Sequence, residues 1–111
     1  MKRHLNISIL LSVILLLIPT SYLFADDVKS GEKLFKQNCT ACHMMTSTRL
    51  VGPGLEGVTD KYEQEWLIKW IRNSQAMIAS GDERAIAIYE EYNKVAMTAF
   101  DFSDQEFTDL L

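Results

Sequence analysis

Two cysteines and a histidine in one short run carry the clearest chemistry of this 111-residue sequence. Cys39 and Cys42 are the only cysteines, and His43 follows the second of them directly. This spacing is typical of a c-type haem attachment site, because two thiols on one turn can reach the two vinyl groups of a porphyrin and form thioethers. The imidazole of His43 can then bind the iron as the proximal ligand. The run therefore predicts one covalently bound haem c.

Two other kinds of site also use closely spaced cysteines. A thioredoxin-like redox pair follows a buried strand in a βαβ context, whereas the residues before Cys39 are polar and have a helical pattern. A structural zinc site takes four ligands, usually from two well-spaced pairs, and no second cysteine pair exists in the sequence. Haem attachment is favoured over both alternatives.

Methionines are the candidates for the second axial ligand of the iron. Met44 and Met45 follow His43 directly, so they cannot easily reach the far side of the ring. Met97 lies in a predicted loop far enough along the chain to cross over the haem, and Met77 is the alternative. Any single methionine can instead fill a gap in a core. We predict Met97 as the distal ligand.

The N-terminal segment, residues 1–25, has the features of a secretory signal peptide. A basic start at Lys2 and Arg3 precedes an apolar run, and Ala25 precedes two aspartates. We expect cleavage after Ala25; the alternative is an uncleaved membrane anchor, since the apolar run is just long enough to span a bilayer. In either case residues 26–111 form one exported or periplasmic domain, which stays anchored to the cytoplasmic membrane if the leader is not cleaved.

The charge of residues 26–111 limits the partners of the domain. Loss of Lys2 and Arg3 with the leader leaves nine basic against fifteen acidic side chains, a net charge of −6. This balance argues against nucleic acid and against anionic lipid headgroups, and it suits a partner protein with a basic patch. Few domains of this size bury enough apolar surface to be stable alone, and a haem would add to the core.

The hydrophobic pattern predicts an all-α domain with about four helices. The first helix covers residues 27–38 and contains Gly31, which is tolerated inside a helix where another backbone comes close. Capping signals predict the starts of three further helices, at Asp60 with Glu63, at Ser80 with Glu83, and at Ser103 with Glu106. Residues 44–59 and 94–102 are predicted loops. A broad aromatic stripe on the second helix includes Trp66 and Trp70.

The order of these features resembles class I cytochrome c, and in particular the small bacterial monohaem cytochromes of the c551/c552 kind. The resemblance rests on Gly31 and Phe35, the Cys39–His43 run, Gly52-Pro53, and Met97 followed by Phe100. It implies a small bundle wrapped around one covalently bound haem c, with thioethers at Cys39 and Cys42 and with His43 and Met97 as iron ligands. It also implies that the Pro53 carbonyl accepts the other N–H of His43, that Gly31 and Phe35 lie where the first helix crosses the last, and that Trp70 lies near the methionine side of the haem.

The same resemblance implies a one-electron carrier rather than an enzyme, with respiratory complexes or a terminal oxidase or reductase as redox partners. Two residues depart from the family pattern. Thr98 stands where a proline usually follows the ligand methionine, and Ser74 replaces another common proline after Asn73. Both changes are expected to loosen the loop that carries Met97. A haem sensor or peroxidase-like protein with a labile distal methionine is therefore the alternative function.

Overall fold

Five α-helices make up the regular structure of the part of the chain described by the computed structural model, which gives the backbone from residue 21 and the side chains from residue 27 to residue 111. They are α1 (Ser21–Asn38), α2 (Val58–Lys61), α3 (Gln64–Ala79), α4 (Glu83–Glu91) and α5 (Asp104–Leu110). No strand occurs in these residues, so the all-α fold class is confirmed. The four predicted helices are present, and the short α2 is an addition.

Helix α1 begins earlier than the predicted residue 27. The predicted leader of residues 1–25 thus ends inside the first turns of α1, and the rest of it lies outside the described residues. Cleavage after Ala25 stays a prediction. Among the helices that the structure describes, none combines the length and the apolar character needed to cross a membrane.

Helix α1 packs against α5, as the family resemblance implies for Gly31. A Cβ atom on Gly31 would lie 1.9 Å from the backbone oxygen of Asp109, so only glycine permits this crossing. On α5, the fully buried Phe107 ring lies under the Arg72 guanidinium, which is 4.8 Å from the ring centroid. The α5 start is also as predicted, with a capping box between Ser103 and Glu106. These contacts join the two ends of the domain.

Helices α3 and α4 form the second packed pair. Trp66, Leu67 and Ala85 are its buried centre. The predicted start of α3 at Asp60 is wrong, because Asp60 lies inside α2, and the extended backbone of Tyr62 separates the two helices. Glu63 is the N-cap of α3, and its carboxylate accepts a 2.7 Å hydrogen bond from Arg84 instead of reaching back to Asp60.

The predicted start of α4 is wrong by a similar margin. Asp82, not Ser80, is the N-cap, and its carboxylate accepts hydrogen bonds from the Ala85 N–H at 2.9 Å and from Trp66 Nε1 at 3.0 Å. Ser80 instead donates its hydroxyl to the Met77 carbonyl at 2.7 Å. The bonds from Ala85 and Trp66 keep the pKa of Asp82 below its ordinary value. A tertiary contact with α3 therefore accompanies the cap.

Helix α3 is broken at one residue. Asn73 has φ −163° and ψ 85°, and its Oδ1 accepts a 3.0 Å hydrogen bond from the Ala76 N–H. This is the contact that an asparagine makes at the start of a helix, so Asn73 caps the second segment of α3. The break releases the Ile71 carbonyl, which accepts a 3.2 Å hydrogen bond from the Phe100 N–H. The loop of residues 94–102 is thereby fastened to the middle of α3.

Candidate functional site

The two cysteines and His43 lie on a tight turn that continues from the end of α1. The Cys39 N–H donates to the Phe35 carbonyl at 2.8 Å, and the N–H groups of Cys42 and His43 both donate to the Cys39 carbonyl, at 3.1 and 2.9 Å. Both thiols are free. Burial, followed by the neighbouring Cys42, raises the pKa of the half-buried Cys39 thiol. The turn thus presents two unpaired thiols and an imidazole together.

The imidazole of His43 is held in one orientation. Its Nδ1 lies 2.9 Å from the Pro53 carbonyl oxygen, which can only accept, so Nδ1 carries the proton. This is the contact that the resemblance implies for Pro53. The Nε2 atom is then the ring nitrogen that remains for a metal. A backbone carbonyl in this role fixes both the tautomer and the orientation of a metal-binding histidine.

Gly52 makes this arrangement possible by lying directly against the ring. A Cβ atom at this position would lie 2.5 Å from His43 Cε1 and 3.1 Å from Nε2. The Gly52 N–H also donates to the Cys42 carbonyl at 2.8 Å. In the sequence, Gly52 was noted only as part of a Gly-Pro pair. Its position next to Pro53, whose carbonyl was expected to accept from His43, was the signal for a close approach to the His43 ring.

A cavity of about 640 Å³ opens beside His43. Its volume lies within the range of about 300–1,000 Å³ that is usual for small-molecule and cofactor sites. Cys39, Cys42, His43 and Met97 all line it. Most of its remaining wall is apolar or aromatic and comes from α1, the Gly-Pro loop, α3 and α4, at Phe35, Pro53, Leu55, Trp66, Leu67, Trp70, Ile71 and Ile88.

These residues fit a haem better than a bare metal ion. The described residues contain no group of three or more histidine, cysteine, aspartate or glutamate side chains that could hold an ion. The cavity offers two thiols, one imidazole and the half-buried thioether of Met97 against a largely apolar wall. Such a donor set suits a flat apolar macrocycle that is attached through sulfur and ligated by nitrogen and sulfur.

The structure separates the four candidate methionines. Met97 is half-buried and lines the cavity. Met77 packs against the Trp66–Leu67–Ala85 centre between α3 and α4, and it is not among the described residues that line the cavity. Met45 reaches the cavity rim but is 64% exposed, and Met44 is also exposed. Met97 and His43 thus share one cavity, whereas Met77 belongs to the core.

Trp70 lies in the cavity wall as part of an aromatic stack. The Trp66 and Trp70 rings are 5.4 Å apart at their centroids and nearly parallel, and Tyr62 stacks on Trp66 at 4.8 Å. Trp66 is 7% exposed and is tied to Asp82 through its indole N–H. Stacked, half-buried rings of this kind have little freedom to move, so the stack gives α3 a rigid surface toward the cavity.

Two residues that were not predicted as site residues make contacts around the cavity; Ser74 lines it, and Arg49 lies outside its lining. Arg49, in the loop after His43, places its guanidinium 4.0 Å from the centroid of the Tyr92 ring and donates to the Glu91 carbonyl at 3.2 Å. Ser74 is 1% exposed, and its hydroxyl donates to the Met97 carbonyl at 3.4 Å. The expectation that Ser74 loosens the Met97 loop stays a prediction, and the structure has the serine buried against that loop.

Comparisons with known proteins show which family the chain resembles. The family model described as Cytochrome c matches residues 28–111. A cytochrome c from Rhodothermus marinus is 28% identical with a TM-score of 0.69, covering 78% of this chain and 72% of that chain. A cytochrome c domain from Pseudomonas putida is 32% identical with a TM-score of 0.62, covering 72% of this chain and 79% of that chain.

An engineered cytochrome c from Rhodothermus marinus, bound to a carbene intermediate, is 28% identical with a TM-score of 0.65 and covers 78% of this chain and 71% of its own. A comparison with curated proteins gives no match.

Proposed function

Since the chain belongs to the cytochrome c family, which binds one haem c covalently and generally carries electrons, we propose that it is a one-electron carrier with His43 and Met97 as iron ligands. In this proposal Cys39 and Cys42 form the thioethers. The bound haem supplies an iron that changes by one electron between its ferric and ferrous states. The polypeptide would supply His43 and Met97 as iron ligands and a largely apolar wall around the haem.

The observation that carries this proposal is the placement of His43 and Met97 in one cavity. The Pro53 carbonyl directs the His43 ring so that Nε2 is left for the iron. The thioether of Met97 belongs to the same cavity, and that of Met77 does not. A methionine opposite a histidine raises the reduction potential of haem iron, which suits an electron carrier.

A carrier is favoured over a haem sensor or peroxidase for two reasons. A methionine on the distal side fills the position that a gas or peroxide needs. A peroxidase also requires an acid–base residue on that side, and His43 is the only histidine after residue 25. The engineered relative from Rhodothermus marinus is bound to a carbene intermediate. That ligand belongs to the engineered protein and does not bear on the function of this chain.

The proposed partners are redox proteins, such as a respiratory complex and a terminal oxidase or reductase. The net charge of −6 after residue 25 favours a partner with a basic docking patch. We place the carrier in the periplasm or outside the cell, with membrane attachment only if residues 1–25 remain uncleaved. The mass of the purified holoprotein tests whether residues 1–25 are cleaved, since cleavage after Ala25 removes a segment of known mass.

Replacement of Met97 tests the ligand assignment. Met97→Ala is expected to keep the covalent haem and to lose the far-red absorption band that ferric haem shows when methionine is bound. Met77→Ala is the matched control, because it removes a methionine from the core beside the cavity. It is expected to lower stability by about 2–5 kcal/mol and to retain the band. Loss of the band in Met77→Ala and its retention in Met97→Ala would reverse the assignment.

A further inference from the structure

We propose that Ser74 is a positioning residue for the distal ligand and that its hydroxyl holds the backbone of Met97 in place. This inference rests on the proposed ligation by Met97 and adds a residue that acts through it. Ser74 is 1% exposed, and its hydroxyl is directed at the Met97 carbonyl with an oxygen–oxygen distance of 3.4 Å. A buried hydroxyl without a partner is costly, so this contact accounts for a polar side chain in the cavity wall.

The break in α3 is what allows the contact. Asn73 leaves helical geometry and caps the second segment of α3, so Ser74 becomes the first residue of that segment. The same break frees the Ile71 carbonyl for the Phe100 N–H at 3.2 Å. Two hydrogen bonds from the break in α3 therefore hold the loop of residues 94–102, which we call the distal loop. One is made at Met97 and the other at Phe100. Met97 is itself one of the residues that line the cavity.

The residue types explain why a serine serves here. The first position of a helix favours proline, because its N–H has no helical partner there. Proline would keep the backbone rigid but would offer the distal loop no donor. Serine has a hydroxyl that reaches a loop 23 residues further along the chain. Thr98 removes a second expected proline from that loop, so the hydroxyl supplies a tether where local backbone restriction is reduced.

Displacement of the methionine by imidazole measures the tether. Ferric holoprotein is titrated with imidazole, and loss of the far-red band reports the opening of the methionine–iron bond. In Ser74→Ala the apparent affinity for imidazole is expected to rise about two- to tenfold, since a net hydrogen bond contributes little more than that factor. The contact is long for an O–H···O bond, which favours the lower end of this range.

Ser80→Ala is the matched control. Ser80 also donates its hydroxyl to a methionine carbonyl, that of Met77 at 2.7 Å, but it is exposed and lies away from the cavity. Its imidazole affinity is expected to equal that of the unchanged protein. Ser74→Gly lacks the hydroxyl as well and is expected to behave like Ser74→Ala, whereas Ser74→Thr keeps a hydroxyl and is expected to stay near the unchanged protein.

The outcomes separate this inference from the proposed function. If the unchanged ferric protein lacks the far-red band, the proposed ligation by Met97 is wrong. If that band is present and neither Ser74→Ala nor Ser74→Gly binds imidazole more tightly than Ser80→Ala, the positioning role is overturned. A lower unfolding temperature with unchanged imidazole affinity would also overturn it, because Ser74 would then support the fold without acting on the ligand.

Discussion

The two loops that carry the proposed iron ligands, His43 and Met97, are held in different ways. The loop after His43 is fastened by short backbone bonds, among them Gly52 N–H to the Cys42 carbonyl and Leu55 N–H to the Met44 carbonyl, both at 2.8 Å. The loop that carries Met97 is fastened to α3 by a 3.2 Å bond at Phe100 and a 3.4 Å bond from Ser74. The first loop is closely packed on itself, and the second depends on another element.

This difference suggests different roles for the two proposed ligands. We expect His43, which its own loop holds, to keep its position when the Met97 loop changes. We expect Met97, whose backbone is held by longer bonds to α3, to be the first of the two to leave the iron. The reduction potential of a haem responds to its iron ligands. We therefore expect changes at the Met97 loop to alter that potential more than changes at the His43 loop.

The largest expected effect comes from Gly52→Ala, on the histidine side. The added Cβ would lie 2.5 Å from His43 Cε1, so either the ring or the loop has to move. We expect a loss of about 1–3 kcal/mol in the free energy of unfolding and a lower haem-to-protein ratio in the purified protein. Chemical denaturation measures the free energy of unfolding, and absorbance measures the haem-to-protein ratio.

Ser47→Ala, which changes an exposed side chain of the same loop, is the control for Gly52→Ala. Its stability and haem content are expected to remain unchanged. Normal stability and haem content in Gly52→Ala would contradict the view that the histidine side is closely packed.

A smaller effect is expected from Arg49→Ala, which removes a contact between the loop after His43 and the end of α4. The Arg49 guanidinium joins the histidine loop to Tyr92 and Glu91, at the end of α4 and just before the methionine loop. Exposed cation–π contacts contribute about 0.5–1 kcal/mol. The free energy of unfolding is expected to fall by about that amount, and imidazole is expected to displace the methionine more readily.

Arg49→Lys keeps the charge but not the planar group that stacks on the Tyr92 ring, so it separates charge from stacking. If Arg49→Lys lowers the free energy of unfolding as much as Arg49→Ala does, the effect is due to the stacked guanidinium and not to the charge. Equal imidazole affinity in all three proteins would show that the two sides are not coupled through Arg49.

The smallest expected effect is a pH dependence of the α3–α4 pair. The hydrogen bonds from Ala85 and Trp66 lower the pKa of Asp82, and the hydrogen bond from Arg84 lowers that of Glu63. A lowered folded-state pKa gives stability that is fully present above the ordinary values of 3.8 and 4.5 and is lost as the pH falls through the folded-state values. Acid should therefore loosen this pair, which forms much of the wall of the cavity.

Thermal unfolding of the holoprotein across the acid range measures this dependence. Asp82→Asn keeps a good N-cap and removes one of the titrating groups. Its unfolding temperature is expected to fall less steeply with acid. An identical acid dependence in the Asp82→Asn protein would remove Asp82 from the account.

The contrast between the loops also explains how far the sequence could predict the site. The Cys39–His43 run, the Ser103–Glu106 capping box and the close approach at Gly31 follow from short patterns or from the chemistry of one residue, and the structure has the box and the close approach as expected. The assignments of His43 and Met97 as ligands stay predictions. In the structure, both residues line the same cavity.

The two wrong expectations, the helix starts at Asp60 and Ser80, concern residues whose contacts lie far along the chain. Both have suitable cap sequences, but Glu63 bonds Arg84 and Asp82 bonds Trp66, and these partners belong to the other helix of the pair. The expectation that Ser74 loosens the loop of residues 94–102 stays a prediction. The contact of Ser74 with the Met97 carbonyl accompanies the break at Asn73, which was not predicted from the sequence.

The most direct test of the account is an optical spectrum of the purified protein, oxidised and then reduced, after acid–acetone extraction has removed any haem that is not covalently bound. We predict retained haem, a sharp α-band in the reduced protein and a weak far-red band in the ferric protein. Haem without the far-red band would contradict ligation by Met97. A protein without haem would contradict the assignment of Cys39, Cys42 and His43, and with it the proposed function.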